Sequence, residues 1–161
     1  MICDFPSSLR GAEGDAAIHC AARNTLDRFA PLAMTKSREN LLERSHRDAL
    51  LAHAQSSIQR GSKSFAAAST LFDRVTRERV WLLYAWCRAC DDLADAQDMG
   101  GALGDQAGAH DRLAEIRRRT DLALAGEPSG DPSFDGFGLV ARETGITRAM
   151  ADDVIAGFAL D

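Results

Sequence analysis

Strand signals are almost missing from this sequence. No segment alternates polar and apolar residues over five or more positions with β-branched enrichment, and Ala, Leu, Arg, Glu and Asp dominate instead. A sheet-based fold is therefore excluded and an all-helical one expected. Long hydrophobic runs are also lacking: none approaches the roughly 18 residues of a spanning helix, so membrane contact is expected to be peripheral at most. Basic charge is not in excess, the formal net charge being −5 and the pI about 5.3. Nucleic-acid binders carry a basic field, so that partner is excluded. A diphosphate substrate is still compatible, because metal ions and a few local Arg and Lys residues override a weak global charge. The opening MICDFPSS has no basic stretch followed by an apolar one, as a secretory signal would. The expected compartment is the cytoplasm with reduced thiols, with contact at the inner membrane surface left open.

What is present is enough for one folded domain. The chain has 161 residues, 45% hydrophobic and 27% charged, a soluble globular composition. Residues 1–37 mix Pro6, Gly11, Gly14 and Pro31 without sustained periodicity and are expected to form a poorly ordered extension, with Met34 an alternative start to Met1. From about Arg38 a helical pattern runs to Arg60 and is punctuated by Gly61. A short helix over 63–71 and a strong one over 76–96 follow. The latter starts at Thr76 or is capped by Asp73, and its Val80, Leu83, Tyr84, Trp86, Cys87 and Leu93 make it apolar on most sides, as in the middle of a bundle. Residues 99–104 read as a loop. Helices are expected over 110–125, 133–143 and 147–160, with Arg117, Arg118 and Arg119 solvated on the first.

Four cysteines are present, and Cys87 and Cys90 form a C-x-x-C. The second half of a zinc site is missing and no strand precedes the pair, so both are expected to be packing residues. His19, His46, His53 and His110 show no ligand or dyad spacing.

The informative stretch is Tyr84-Ala85-Trp86-Cys87-Arg88-Ala89-Cys90-Asp91-Asp92-Leu93-Ala94-Asp95. Asp91 and Asp95 lie four apart, Arg88 three before Asp91, and Tyr84 four before Arg88, so these four line one side of a helix. Asp92 lies about 100° round from Asp91 by helical geometry. Stacked carboxylates repel one another, and at the end of an apolar helix that repulsion is poorly screened. A cation should compensate, and hard oxygen donors suit Mg²⁺, which bridges carboxylate to phosphate; Mn²⁺ is the expected substitute. Upstream, Gly61-Ser62-Lys63-Ser64-Phe65 reads as a helix start with free N–H groups that attract an anion, but lacks the spacing of a Walker loop. Asp152-Asp153 has no third carboxylate at i+4 and reads as a solvated helix start.

Taken together, Gly61-Ser62-Lys63-Ser64-Phe65, then Leu83-Tyr84-Ala85-Trp86-Cys87-Arg88 and Asp91-Asp92-x-x-Asp95, resemble the opening of the squalene/phytoene synthase family. The likeness runs from about His46 to Asp161 and is strongest over 59–98, where the wording is most similar to bacterial phytoene-forming members. Squalene-forming members more often have Leu-Leu-Pro where Leu71-Phe72-Asp73 stands. Head-to-tail prenyl synthases follow their Asp-Asp-x-x-Asp with Arg-Arg-Gly, which Met99-Gly100-Gly101 does not provide.

The resemblance implies an all-α isoprenoid synthase bundle, here over residues 38–161 and cut to its first half. It implies that Asp91, Asp92 and Asp95 bind Mg²⁺ bridging to a prenyl diphosphate. Ser62, Ser64 and Phe65 would belong to a flap segment, and Tyr84 and Arg88 would lie near the diphosphate. The implied reaction joins two geranylgeranyl diphosphates into a cyclopropyl diphosphate and rearranges it to phytoene. The family's second aspartate motif lies beyond Asp161, so this polypeptide alone is expected not to turn over. Two alternatives stand: a squalene or dehydrosqualene-type synthase using farnesyl diphosphate, and a non-catalytic helical assembly relative. No obligate protein partner is evident in the sequence.

Overall fold

The computed structural model describes residues 14–96 and 108–158, and every regular element among them is an α-helix: α1 (Gly14–Gly61), α2 (Lys63–Ser69), α3 (Arg74–Ala94), α4 (Ala109–Ala125), α5 (Pro132–Thr144) and α6 (Arg148–Gly157). The chain divides into two compact units, Met1–Arg44 and Ser45–Asp161. The expected all-α class is what forms.

In the first unit the described backbone is helical from Gly14, well ahead of the start that periodicity places at Arg38. Ala16, Ala17, Ala21, Ala22, Leu26 and Leu32 are good helix formers, and their propensity carries a helix through a stretch with no amphipathic pattern to detect. The expected extension over residues 1–37 thus includes described helical backbone from Gly14 onward. Its remaining residues, like the loop expected over 99–104, lie outside the described ones.

The second unit has local signals that agree with its helices. Asp73 is the N-cap of α3, its carboxylate accepting from Val75 N at 2.9 Å and Thr76 N at 3.1 Å. Asp131 caps α5 with Pro132 at its first position, where a missing N–H costs nothing. Thr147 caps α6 by accepting from Met150 N. Gly126 and Gly145 close α4 and α5 in the left-handed region.

The core forms where α3, α4 and α5 meet. Trp86 of α3 stacks on Phe137 of α5 with ring centroids 4.1 Å apart, and its indole N–H reaches Thr120 Oγ1 of α4. Ile116, Phe134, Val140 and, from α6, Ala151 and Ile155 complete it, with Leu50 and Ala54 of α1. The most enclosed helix is α5 rather than α3: Phe134, Gly136, Phe137, Gly138, Val140 and Ala141 are all buried, whereas α3 exposes Val75 and part of Leu83. Gly138 explains how α5 comes so close. A Cβ there would overlap the carbonyl oxygen of Ala123 on α4, so only glycine allows this approach. Ion pairs frame the core, with Arg47–Glu78 at 2.7 Å and Arg79–Glu143 at 2.9 Å, and His53 Nε2 bonds Ser133 Oγ at 2.9 Å.

Cys90 is fully buried in this core and Cys87 packs against it, both as free thiols, the packing role expected of them. Burial pushes both thiols up from their usual range, which makes them poor nucleophiles. Among the described residues no helix is long and apolar enough to cross a membrane.

Candidate functional site

Two segments that are about twenty residues apart in sequence meet on the face of α3 turned away from Trp86. Ser62 is the N-cap of α2, its hydroxyl accepting from Phe65 N at 3.3 Å and lying 3.4 Å from Ser64 Oγ. The Gly-Ser-Lys-Ser run is thus a helix start, as its sequence suggests. One turn on, Phe65 stacks on Tyr84 of α3 with centroids 5.5 Å apart and planes inclined by 28°. A hydrogen bond of 2.9 Å from Trp81 Nε1 to Ser69 Oγ locks the other end of α2 to α3. That Ser69 hydroxyl in turn donates to Ala66 O. The segment expected to act as a flap is therefore seated beside the tyrosine expected near the diphosphate.

Next along the same face comes Arg88. Its Nη1 contacts Asp91 Oδ2 at 2.9 Å and its Nη2 contacts Asp92 Oδ1 at 2.5 Å. Arg88 and Asp92 are largely buried, with side chains 19% and 16% exposed, while Asp91 is 42% exposed. The guanidinium Nε is buried and has no hydrogen-bond partner among the described residues. A buried, charged N–H donor without an acceptor is costly, and it is suited to an anionic oxygen.

Asp95 is the C-cap of α3, its N–H bonded to Asp91 O at 3.0 Å. All three carboxylates thus crowd the negative end of a helix dipole, where each is disfavoured by about 0.3–1 kcal/mol. The arrangement calls for cations. Arg88 supplies one, and Arg112 of α4 supplies another, donating from Nε to Ala94 O at 3.0 Å. The chain leaves this helix through Ala96, whose φ of +53° is left-handed without the freedom of glycine, a strain of about 1–2 kcal/mol.

Beside Asp92 lies a cavity of about 410 Å³, walled by Ala89, Leu93, Ala96 and Phe134 and rimmed by Arg112, Arg119 and Asp131. Arg119 departs from expectation. The sequence pattern places it in solvent, but it is partly buried, pairs with Glu115 at 2.7 Å and Asp131 at 3.4 Å, and lies over the Phe134 ring. Sequence reasoning singles out neither Arg112 nor Arg119 for this site; no helical spacing connects them to the acidic cluster, because they approach it from another helix.

Mg²⁺ fits this cluster in donor type, three hard carboxylates gathered at one helix end. Among the described residues, however, no three His, Cys, Asp or Glu side chains converge on one point. Asp91 and Asp92 are drawn to Arg88, so a metal would have to share them with that guanidinium. Asp152 and Asp153 sit elsewhere on α6, with Asp152 paired to Arg148 at 3.0 Å and Asp153 exposed, in keeping with a solvated helix start.

The family model described as Squalene/phytoene synthase matches residues 58–161. Among curated proteins, the chain is 46% identical over 114 residues to "Phytoene synthase" of Pseudescherichia vulneris, a match covering 70% of this chain and 37% of that protein. It is 44% identical over 114 residues to "15-cis-phytoene synthase" of Pantoea ananas, with the same coverage. To the protein of that name from a Paracoccus species it is 38% identical over 104 residues, covering 65% of this chain and 34% of the relative. The chain spans little more than a third of the length of the curated relatives it matches. No solved structure matches it.

Proposed function

Because the chain belongs to the squalene/phytoene synthase family, we propose that it carries the first metal and diphosphate subsite of a phytoene synthase of carotenoid biosynthesis. The reaction so assigned joins two geranylgeranyl diphosphates head to head through a cyclopropyl diphosphate. The relatives named for phytoene formation favour that product over squalene or dehydrosqualene, and the intact acidic cluster speaks against a non-catalytic assembly role.

The observation that carries the reading is the continuous line Phe65–Tyr84–Arg88–Asp91/Asp92 on one face of α3. Departure of an allylic diphosphate leaves negative charge on the leaving oxygens, and a site accelerates it by neutralising that charge in place. Arg88 suits that role. Two of its nitrogens are held by Asp91 and Asp92, which fix the guanidinium plane, and its buried Nε–H has no acceptor among the described residues. Asp91, Asp92 and Asp95 are the residues that would hold Mg²⁺ or Mn²⁺. Bound there, the metal supplies Lewis-acid neutralisation of the diphosphate. Tyr84 and Phe65 make an aromatic wall over the same face. Together with the Ser62–Ser64 turn they would help keep water from the allylic cation.

Exposed Leu71, Phe72 and Val75 cluster at the α2–α3 turn next to Arg74 and Arg77, a mixture suited to peripheral contact with an anionic membrane surface, from which a long prenyl substrate is drawn.

Since the chain spans about a third of a relative's length, the test is one of binding rather than turnover. Thermal unfolding is followed with a non-hydrolysable geranylgeranyl diphosphate analogue, with and without Mg²⁺. A rise in Tm that needs both, and that is lost in the Asp91→Asn, Asp95→Asn double variant, is expected. A rise that the double variant retains refutes the assignment.

A further inference from the structure

A helix as short as α2, with seven residues, does not persist on its own backbone bonds. Ser69 is its one buried residue, Ala66 is half-buried, and the others face solvent. Two contacts to α3 hold it, and their spacing is regular. Phe65 and Ser69 stand four apart on α2, and Trp81 and Tyr84 three apart on α3, so each pair shares a helix face. Phe65 meets Tyr84 and Ser69 meets Trp81. The two helices therefore run antiparallel here, joined at two points about one turn apart.

The two contacts differ in what they specify. A ring stack tolerates sliding and tilt, and this one borders solvent, Phe65 being 39% exposed. A hydrogen bond is directional. Ser69 Oγ commits its own proton to Ala66 O at 2.7 Å, so it can meet Trp81 only as an acceptor, and the indole N–H is a donor only. The 2.9 Å bond between them thus admits one rotation of α2. Turning the helix by one residue, about 100°, would break that bond and carry Phe65 off Tyr84 in the same movement.

We propose that Trp81 is a positioning residue: through Ser69 it sets the rotation of α2 and so seats Phe65 on Tyr84. With the bond broken, α2 opens as a unit and Tyr84 loses its cover. For its use in the reaction, this inference rests on the reading of Phe65 and Tyr84 as a wall that keeps water from the substrate.

The experiment is amide hydrogen exchange, followed by nuclear magnetic resonance, in the 161-residue chain without ligand. The informative amides are those of Ala66, Thr70, Leu71 and Phe72, which bond within this segment. The chains compared are the parent, Trp81→Phe, Ser69→Ala, Phe65→Leu and the Trp81→Phe, Phe65→Leu double variant. Trp81→Phe keeps a ring beneath Arg77, which lies 5.7 Å over it, and removes the indole donor. Each single variant is expected to speed exchange of these amides roughly threefold to tenfold, the effect of one net hydrogen bond or ring pair, while α4 and α5 keep the parent's rates. The double variant is expected to fall short of the product of its two singles, because an unseated Phe65 has little left to lose. A full product means two independent contacts and overturns the positioning role, as does unchanged exchange in Trp81→Phe and Ser69→Ala. Tyr84 is the chain's one tyrosine, so its ring signals report the cover directly; in Trp81→Phe they are expected to move towards their Phe65→Leu positions. Should Trp81→Phe not fold, Ser69→Ala takes its place in the cycle. A separate arm tests the wall itself. The geranylgeranyl diphosphate analogue with Mg²⁺ is expected to shift the Tyr84 signals of the parent; signals left unmoved overturn the wall, and with it the use of the latch in the reaction, even where the exchange data support the latch.

Discussion

Replacing Gly138 by alanine tests the packing that positions the whole site. In an ordinary helix the change is favourable, by about 1 kcal/mol, because alanine loses less backbone entropy on folding. In α5 the new methyl would overlap Ala123 O and stand 2.9 Å from Ala123 C and 3.2 Å from its Cα. All three are backbone atoms of α4, so relief requires the two helices to move apart. Overpacking of this kind costs typically about 1–3 kcal/mol. With rigid backbone as the obstacle the upper value applies, leaving a net loss of about 2 kcal/mol after the propensity gain. For a chain of this length that is a fall in Tm of roughly 4–8 °C.

Gly136→Ala is the matched control, two residues away in the same helix. There the Cβ would meet only Leu82 Cδ2, at 3.0 Å, the far end of a side chain that can rotate. Stability should change by less than about 0.5 kcal/mol, in either direction. The assay is thermal unfolding by far-UV circular dichroism, with near-UV circular dichroism reporting the Trp86–Phe137 stack beside Gly138. A Gly138→Ala chain melting at or above Gly136→Ala would show that α4 and α5 do not approach as described, and the reasoning would fail.

Other outcomes follow from the same geometry. Arg88→Ala should destabilise the folded chain by about 1–2 kcal/mol at neutral pH, since it strips Asp91 and Asp92 of their shared partner; in an Arg88→Ala, Asp92→Asn cycle a clear coupling between the two sites is expected, and additivity would contradict the pair. Hydrogen bonds from Arg118, reinforced by Arg119, pull the Glu115 carboxyl from its ordinary 4.5 to about 2. A lowered folded value means stabilisation that is full above about pH 4.5 and lost as pH falls towards 2, so the small advantage of the parent over Glu115→Gln in Tm, well under about 1 kcal/mol for so exposed a pair, should vanish across that window and not on the alkaline side. Cys87 and Cys90 should resist alkylation in the native chain and react on denaturation, as read by mass spectrometry of the peptide that carries them; rapid native labelling of Cys90 would contradict its burial.

Much of the fold could be read locally. The caps Asp73 and Thr147, the punctuation at Gly61, Gly126 and Gly145, and the helices α2 to α6 all follow from signals within a few residues, because helix starts and stops are decided by short-range hydrogen bonding. The acidic line on α3 was legible for the same reason: Tyr84, Arg88, Asp91 and Asp95 share a face through helical spacing alone. The early start of α1 was not, since propensity without amphipathic pattern leaves no periodic trace.

What the sequence determined, then, is the set of helices and the chemistry offered on one face of α3. Only the tertiary structure decided that Phe65 covers Tyr84, that Arg112 reaches the end of α3 from α4 while Arg119 rims the cavity beside Asp92, and that α5, with its two core-facing glycines, is the most enclosed helix. These are contacts between segments many residues apart. Their existence depends on how closely two backbones can approach, as at Gly138 and Ala123, and that distance is a property of packing rather than of any local run of residues.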